Sequence, residues 1–293
     1  MNQVIIRCMS FFAIAMGVSF AYAQQAPDGN AHPESQIVSG NADQVVNPFG
    51  QPIALGLSTE EKAAFADEVD LSPLETSTVF HNGRVKILTT LAEETVSRLT
   101  GKNKLFDLIV EQNPDGTTKS VEKIKYDPMF TMFDIMIDPI YYLDRPVLGI
   151  NYLPLRQAIL YEYEQDPRNE GANFNREGWL KTGMVSPRMA DLYIEAAFAK
   201  YESSEPFRAA VGRLDQSKNL FLNAVVNLNL VAPANADDPW KHLGSLASNT
   251  PAREAATRLT LAWRASDAEG VNLAAQELAD ALAQINPETQ QAA

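Results

Sequence analysis

Between Phe80 and Lys102 the hydrophobic period of the chain changes from two to about four. Arg84-Val85-Lys86-Ile87 alternates polar with apolar residues, as a half-buried strand does, and runs on into Leu88. Asn82-Gly83 ahead of it tolerates positive φ and marks a tight turn. Leu91, Thr95 and Leu99, or Ala92, Val96 and Leu99, then take the spacing of one buried helical face. Thr90 with Glu93 three residues later reads as a capping box, and Gly101 reads as the helix stop. The prediction is a basic turn and strand leading straight into an amphipathic helix.

Similar patterning organises the rest. Ser58 with Glu61 opens a short helix as a second capping box. Lys104 to Val110 and Val121 to Lys125 read as strands paired across the turn Asn113-Pro114-Asp115-Gly116. Asp127-Pro128 starts a helix rich in Met and Phe that ends at Asp138-Pro139, and Val147 to Ile150 is a short buried extended run. The Met-rich helix invites thoughts of soft-metal ligation, but methionine as core filler is the simpler reading. Beyond Leu153 the pattern is helical. Ser186-Pro187 opens one helix with Met189, Leu192, Tyr193 and Ala196 on its face, and Pro206 opens another, stepping from Phe207 to Leu228 for six turns. Thr250-Pro251 opens a third with Ala255, Leu259, Ala262 and Trp263, and Val271 to Ile285 forms a fourth. No period near 34 residues recurs, so a bundle is favoured over helical repeats. The expected fold class is mainly α: a helical bundle with a small mixed α/β N-terminal portion.

The N-terminus changes the picture. Residues 1–23 carry Arg7, an apolar run from Met9 to Phe20 and Ala21-Tyr22-Ala23, the anatomy of a cleavable signal peptide. Residues 24–57 are rich in Gln, Asn, Asp, Gly and Pro and read as a flexible leader segment. Residues 58–293 are then a periplasmic, mostly helical domain. The single cysteine, Cys8, lies in the leader peptide, so the exported chain uses neither disulfides nor thiol chemistry. A formal charge of −13 argues against nucleic acid as a partner.

The Phe80 to Lys102 segment resembles the start of the extracytoplasmic domain of the system II cytochrome c biogenesis family, whose large fused members deliver haem and attach it to apocytochrome. Gly83, Arg84, Lys86, Thr90, Leu91, Ala92, Gly101 and Lys102 fit that pattern, whereas Ile87 stands where the family usually has Pro. Two later passages resemble the same domain in order and spacing. One is Asp127 to Ile150; the other runs from Asp237-Asp238-Pro239-Trp240 through Trp263 and Val271-Asn272 to Ile285-Asn286-Pro287. The resemblance implies a periplasmic accessory component of c-type cytochrome biogenesis. Its implied partners are a separately encoded, membrane-embedded biogenesis subunit and apocytochrome c, with haem handled by that subunit and no cofactor expected here. It marks Gly83, Arg84, Lys86, Thr90, Asp238 and Trp240 as docking or fold-signature residues.

Chemistry adds little beside this. There is no Cys-x-x-Cys-His, no Gly-x-Ser-x-Gly and no His-Glu-x-x-His. His32, His81 and His242 are the available imidazoles, and Trp179, Trp240 and Trp263 are isolated. Glu93-Glu94 is an acid pair whose members point in different directions on a helix. Asp237-Asp238 before Pro239 reads as a helix N-cap. Arg84 and Lys86, two residues apart on a strand, share a face and form a candidate clamp for an acidic partner, or else an ordinary ion pair. The expectation is a non-enzymatic protein. A helical scaffold with a changed partner is the alternative, and an exported hydrolase of unrecognised type is a remote third.

Overall fold

The computed structural model describes residues 46–112, 118–170, 176–201, 204–235 and 237–291. The signal peptide, most of the leader segment, His32 and the turn Asn113 to Gly116 lie outside the described residues. Among the described residues the protein is mainly α, with three small two-stranded antiparallel sheets.

Helix α1 (Thr59–Glu68) starts where the capping box places it: Glu61 N–H donates to Ser58 Oγ at 3.1 Å and Ser58 N–H to Glu61 Oε2 at 2.8 Å. Strands β1 (Thr78–His81) and β2 (Arg84–Ile87) form a hairpin in the register His81 opposite Arg84 and Val79 opposite Lys86. Asn82 and Gly83 between them have φ of 53° and 75°, the positive pair that a two-residue turn needs to match strand twist. Helix α2 (Leu88–Thr100) follows without a linker and ends at Gly101, φ 69°.

The start of α2 corrects one expectation. Ile87 is the N-cap, no side chain caps the helix, and Thr90 lies within its first turn. The cause is tertiary. Leu88 N–H donates to Ser77 O at 2.8 Å and Thr89 N–H to Glu75 O at 3.2 Å, so loop carbonyls serve the first two helical amides and the helix starts ahead of Thr90.

Strands β3 (Phe106–Gln112) and β4 (Thr118–Lys125) pair as expected. Helix α3 (Pro128–Ile137) is capped by Asp127, which accepts from Met129 N–H at 2.8 Å, and all ten of its residues are buried. Its methionines are core. Helix α4 (Pro139–Tyr142) follows, then β5 (Leu148–Gly149), α5 (Leu153–Gln165) and α6 (Arg176–Thr182), with β6 (Met184–Val185) pairing on β5. Helix α7 (Pro187–Tyr201) begins under Ser186 Oγ, which accepts from Met189 N–H. Its buried face is Met189, Ala190, Tyr193, Ile194 and Ala197; Leu192 and Ala196 are exposed, so the face is rotated from the predicted one. Helix α8 (Glu205–Leu222) stops short of the predicted six turns, and a 3-10 turn over Ala224–Asn227 carries the chain to Leu228. Helices α9 (Pro251–Arg264) and α10 (Ala268–Ala283) form a hairpin, followed by α11 (Pro287–Gln291).

Aromatic side chains join these elements. Trp263 of α9 stacks on Phe130 of α3 at 5.1 Å and meets Phe65 of α1 edge-on at 5.5 Å. The described end of the leader segment also packs here. Phe49 is buried against Phe133, and Arg264 donates to the carbonyls of Phe49 and Gln51.

Candidate functional site

Two ionic constellations stand out, one on the surface hairpin and one in the core. On the hairpin, the register puts His81 and Arg84 directly opposite one another, with Val79 and Lys86 on the same side. Lys86 Nζ reaches across to α2 and meets Glu94 Oε2 at 2.7 Å. His81 Nδ1 lies 3.9 Å from that oxygen and has no hydrogen-bond partner. Burial first, then the charges of Lys86 and Arg98, hold the His81 imidazole below its ordinary pKa, so it is neutral at pH 7 and the approach to Glu94 is not an ion pair. The Glu94 carboxyl is held below its usual range chiefly by the Lys86 hydrogen bond.

Lys86 is therefore committed within the fold. Arg84 is not: it is exposed, and it forms no ion pair among the described residues. The two share a face of β2 but do not act as a joint clamp, because only Arg84 keeps its charge available. Of the other residues that fit the family pattern, Gly83 and Gly101 take the positive φ that their turn and cap demand, and Leu91 and Ala92 are fully buried. Lys102 donates to Thr182 O at 3.0 Å and lies over the Phe106 ring. Thr90 is half-buried.

Beside Glu94, a cleft of about 600 Å³ is bounded by Glu93, Glu94, Ser97, Arg98, Lys104 and Asp127. Glu93 and Glu94 both line it, yet Glu94 is spent on Lys86 and no described imidazole shares a hydrogen bond with either, so no general acid-base pair is assembled.

The second passage from the C-terminal half is placed differently from its sequence reading. Asp237 and Asp238 cap no helix. The chain from Val231 to Lys241 is a loop closed by an antiparallel bridge between those two residues, Asp238 is tied to Asn235, and the next α-helix begins at Pro251. The bridge holds Lys241 extended, so Pro239 cannot serve as the first residue of a helix. Trp240 is half-buried at the neck of this loop. His242, just beyond, is buried: Nε2 donates to Val225 O at 2.7 Å, and Nδ1 accepts from Gly244 N–H at 2.9 Å. Both ring nitrogens are occupied, and burial holds its pKa down.

The core constellation was not foreseen. Lys62 of α1, fully buried, donates to Asp134 Oδ2 at 2.7 Å and Oδ1 at 3.0 Å, and to Asp138 Oδ2 at 3.0 Å. Tyr142 O–H donates to Asp134 Oδ2 at 2.5 Å and Trp263 Nε1–H to Oδ1 at 2.9 Å, while the ammonium lies 4.1 Å from the Tyr141 ring centroid. Burial raises the Asp138 carboxyl, opposed in part by Lys62. One sequence signal pointed here: Asp134 is the sole charged residue within a helix otherwise built of Met, Phe, Ile, Pro and Thr, and a buried carboxylate needs a buried cation. A sealed cluster of this kind has no access for substrate. It ties α1, α3, α4 and α9 together.

Among the described residues, no group of three or more His, Cys, Asp or Glu is placed to hold a metal ion, and no helix is long and apolar enough to cross a membrane. Compared with known proteins, the chain matches no family model, no curated protein and no solved structure.

Proposed function

We propose that this chain is an exported accessory component of c-type cytochrome biogenesis, delivered to the periplasm by residues 1–23 and docking on a separately encoded, membrane-embedded haem transporter-ligase. Apocytochrome c is the second candidate partner, and haem stays with the membrane subunit. We also read the helical part of the chain as a bundle.

One observation carries the reading. Among the residues that fit the family pattern in the hairpin and α2, the fold finds work for Gly83, Lys86, Leu91, Ala92, Gly101 and Lys102, but none for the guanidinium of Arg84. A charged residue at the tip of a rigid turn, left unpaired, is placed for bidentate recognition of a carboxylate on another molecule. Asp238 and Trp240 belong to a separate loop and enter the proposal only as a fold signature.

The test is co-purification of the tagged chain with the membrane subunit encoded beside it. Arg84→Ala is expected to lower the yield of the complex while leaving the thermal transition of the isolated chain in place. A yield equal to wild type removes the docking role. Stoichiometric haem binding by the isolated chain, seen as a Soret band titrating to one equivalent, contradicts the assignment of haem to the membrane subunit.

A further inference from the structure

A second cleft lies where α2 meets α8, on the far side of Arg98 from the one beside Glu94. Its volume is about 610 Å³, and Arg98, Arg213, Gln216, Ser217 and Leu220 line it. Among the described residues that line it there is no acid. Both arginines are exposed, and neither forms an ion pair among the described residues. The two helices are pinned at this point: Ser217 Oγ donates to Arg98 O at 2.9 Å and to Arg213 O at 3.1 Å, so the backbones that carry the two guanidinium groups are fixed relative to each other. In a chain of charge −13, two facing unpaired arginines make a local reversal of sign.

We propose that this cleft seats an acidic, extended segment of a partner protein. Each guanidinium offers a planar fork of donors to a carboxylate. Gln216 supplies an amide able to meet a peptide group, and the half-buried Leu220 supplies an apolar contact. A free small carboxylate fits less well. Small-molecule sites enclose most of their ligand, whereas exposed arginines on two helices border an open trough. The cleft beside Glu94 is excluded as the seat of the acidic residues because Glu93, Glu94 and Asp127 line it. This site is distinct from the Arg84 turn and stands whether or not the biogenesis reading does.

Fluorescence anisotropy with a labelled peptide of alternating Glu and Leu, titrated with the full chain at low ionic strength, tests the assignment. Saturable binding is expected, weakened by about tenfold for each of Arg98→Ala and Arg213→Ala, with Arg213→Lys retaining part of the affinity. The same peptide with Lys in place of Glu is expected not to bind. Arg213→Glu, at an exposed helical position, serves as the second variant if either alanine variant loses its cooperative thermal transition. The assignment is overturned if no acidic peptide saturates, if the arginine variants bind as wild type does, or if free citrate binds as tightly as the peptide, which would make the cleft a small-carboxylate site.

Discussion

Lys62 and Lys86 both meet carboxylates at 2.7 Å, yet they do opposite things for the protein. Lys62 and its acids have no exposed side-chain surface, and every donor around Asp134 comes from a different element: α1, α4 and α9. Glu94, by contrast, keeps 37% of its side chain in water, and the hairpin and α2 that carry its pair are neighbours in sequence. In a low-dielectric interior an unpaired charge is costly, so removing one partner of the Lys62 cluster exposes the full desolvation penalty of the others. Near the surface, water and ions take over when a partner goes. The hairpin cluster can therefore leave Arg84 uncommitted at little risk to the fold, whereas the core cluster cannot leave any member alone.

Three substitutions put that contrast at stake. Lys62→Met, which fills much the same volume, removes the ammonium that Asp134 and Asp138 share. It should cost about 3–5 kcal/mol in urea unfolding, with the deficit shrinking on acidification as the Asp138 carboxyl, already raised by burial, takes up its proton. A loss no larger than a surface pair gives would erase the distinction between the two lysines. Trp263→Phe keeps an aromatic ring against Phe130 but takes away the Nε1–H bond to Asp134 together with part of the buried indole's packing. A loss of about 1–3 kcal/mol is expected, and the effect should fail to add to that of Lys62→Met because both act on one carboxylate. Simple additivity would mean the cluster is not a unit.

Lys86→Met should cost less than about 1 kcal/mol. Its clearer signature is in pH. The folded Glu94 carboxyl titrates below its unfolded value, held there mainly by Lys86. The pair's contribution is thus fully present above about pH 4.3 and is lost as pH falls through the lower, folded value. Thermal midpoints measured down that range should show a smaller acid loss in the variant than in wild type. Parallel profiles would show that Lys86 and Glu94 are not coupled in solution.

The features legible in the sequence are those whose causes are local. Ser58 with Glu61, Asp127-Pro128, Ser186-Pro187 and Gly101 announce helix ends because each cap involves residues within three or four positions. Thr90 misleads because the carbonyls of Ser77 and Glu75 serve the amides of Leu88 and Thr89 and let the helix begin ahead of it, which no local pattern can reveal. On α7 the spacing gives a stripe correctly but not which of two adjacent stripes faces inward, since that depends on what α5 and α8 offer. In the candidate site, period two places Arg84 and Lys86 on one face, but the commitment of Lys86 to Glu94 follows from how the hairpin folds onto α2. Lys62 sits in a short helix whose only large apolar residue is Phe65, so only Asp134, alone in an apolar helix, hinted that a cation must be buried opposite.

Trp263 reaches Asp134 across 129 residues, and Asp134 meets Lys62 across another 72. During synthesis the acids of α3 leave the ribosome long before the indole that completes their shell. A nascent chain that has formed its first four helices still holds a carboxylate short of one donor, and only arrival of the last helical hairpin supplies it. The final segment to be made is thus a closing bolt. A chain cut short ahead of α9 is expected to remain loosely packed and open to proteases.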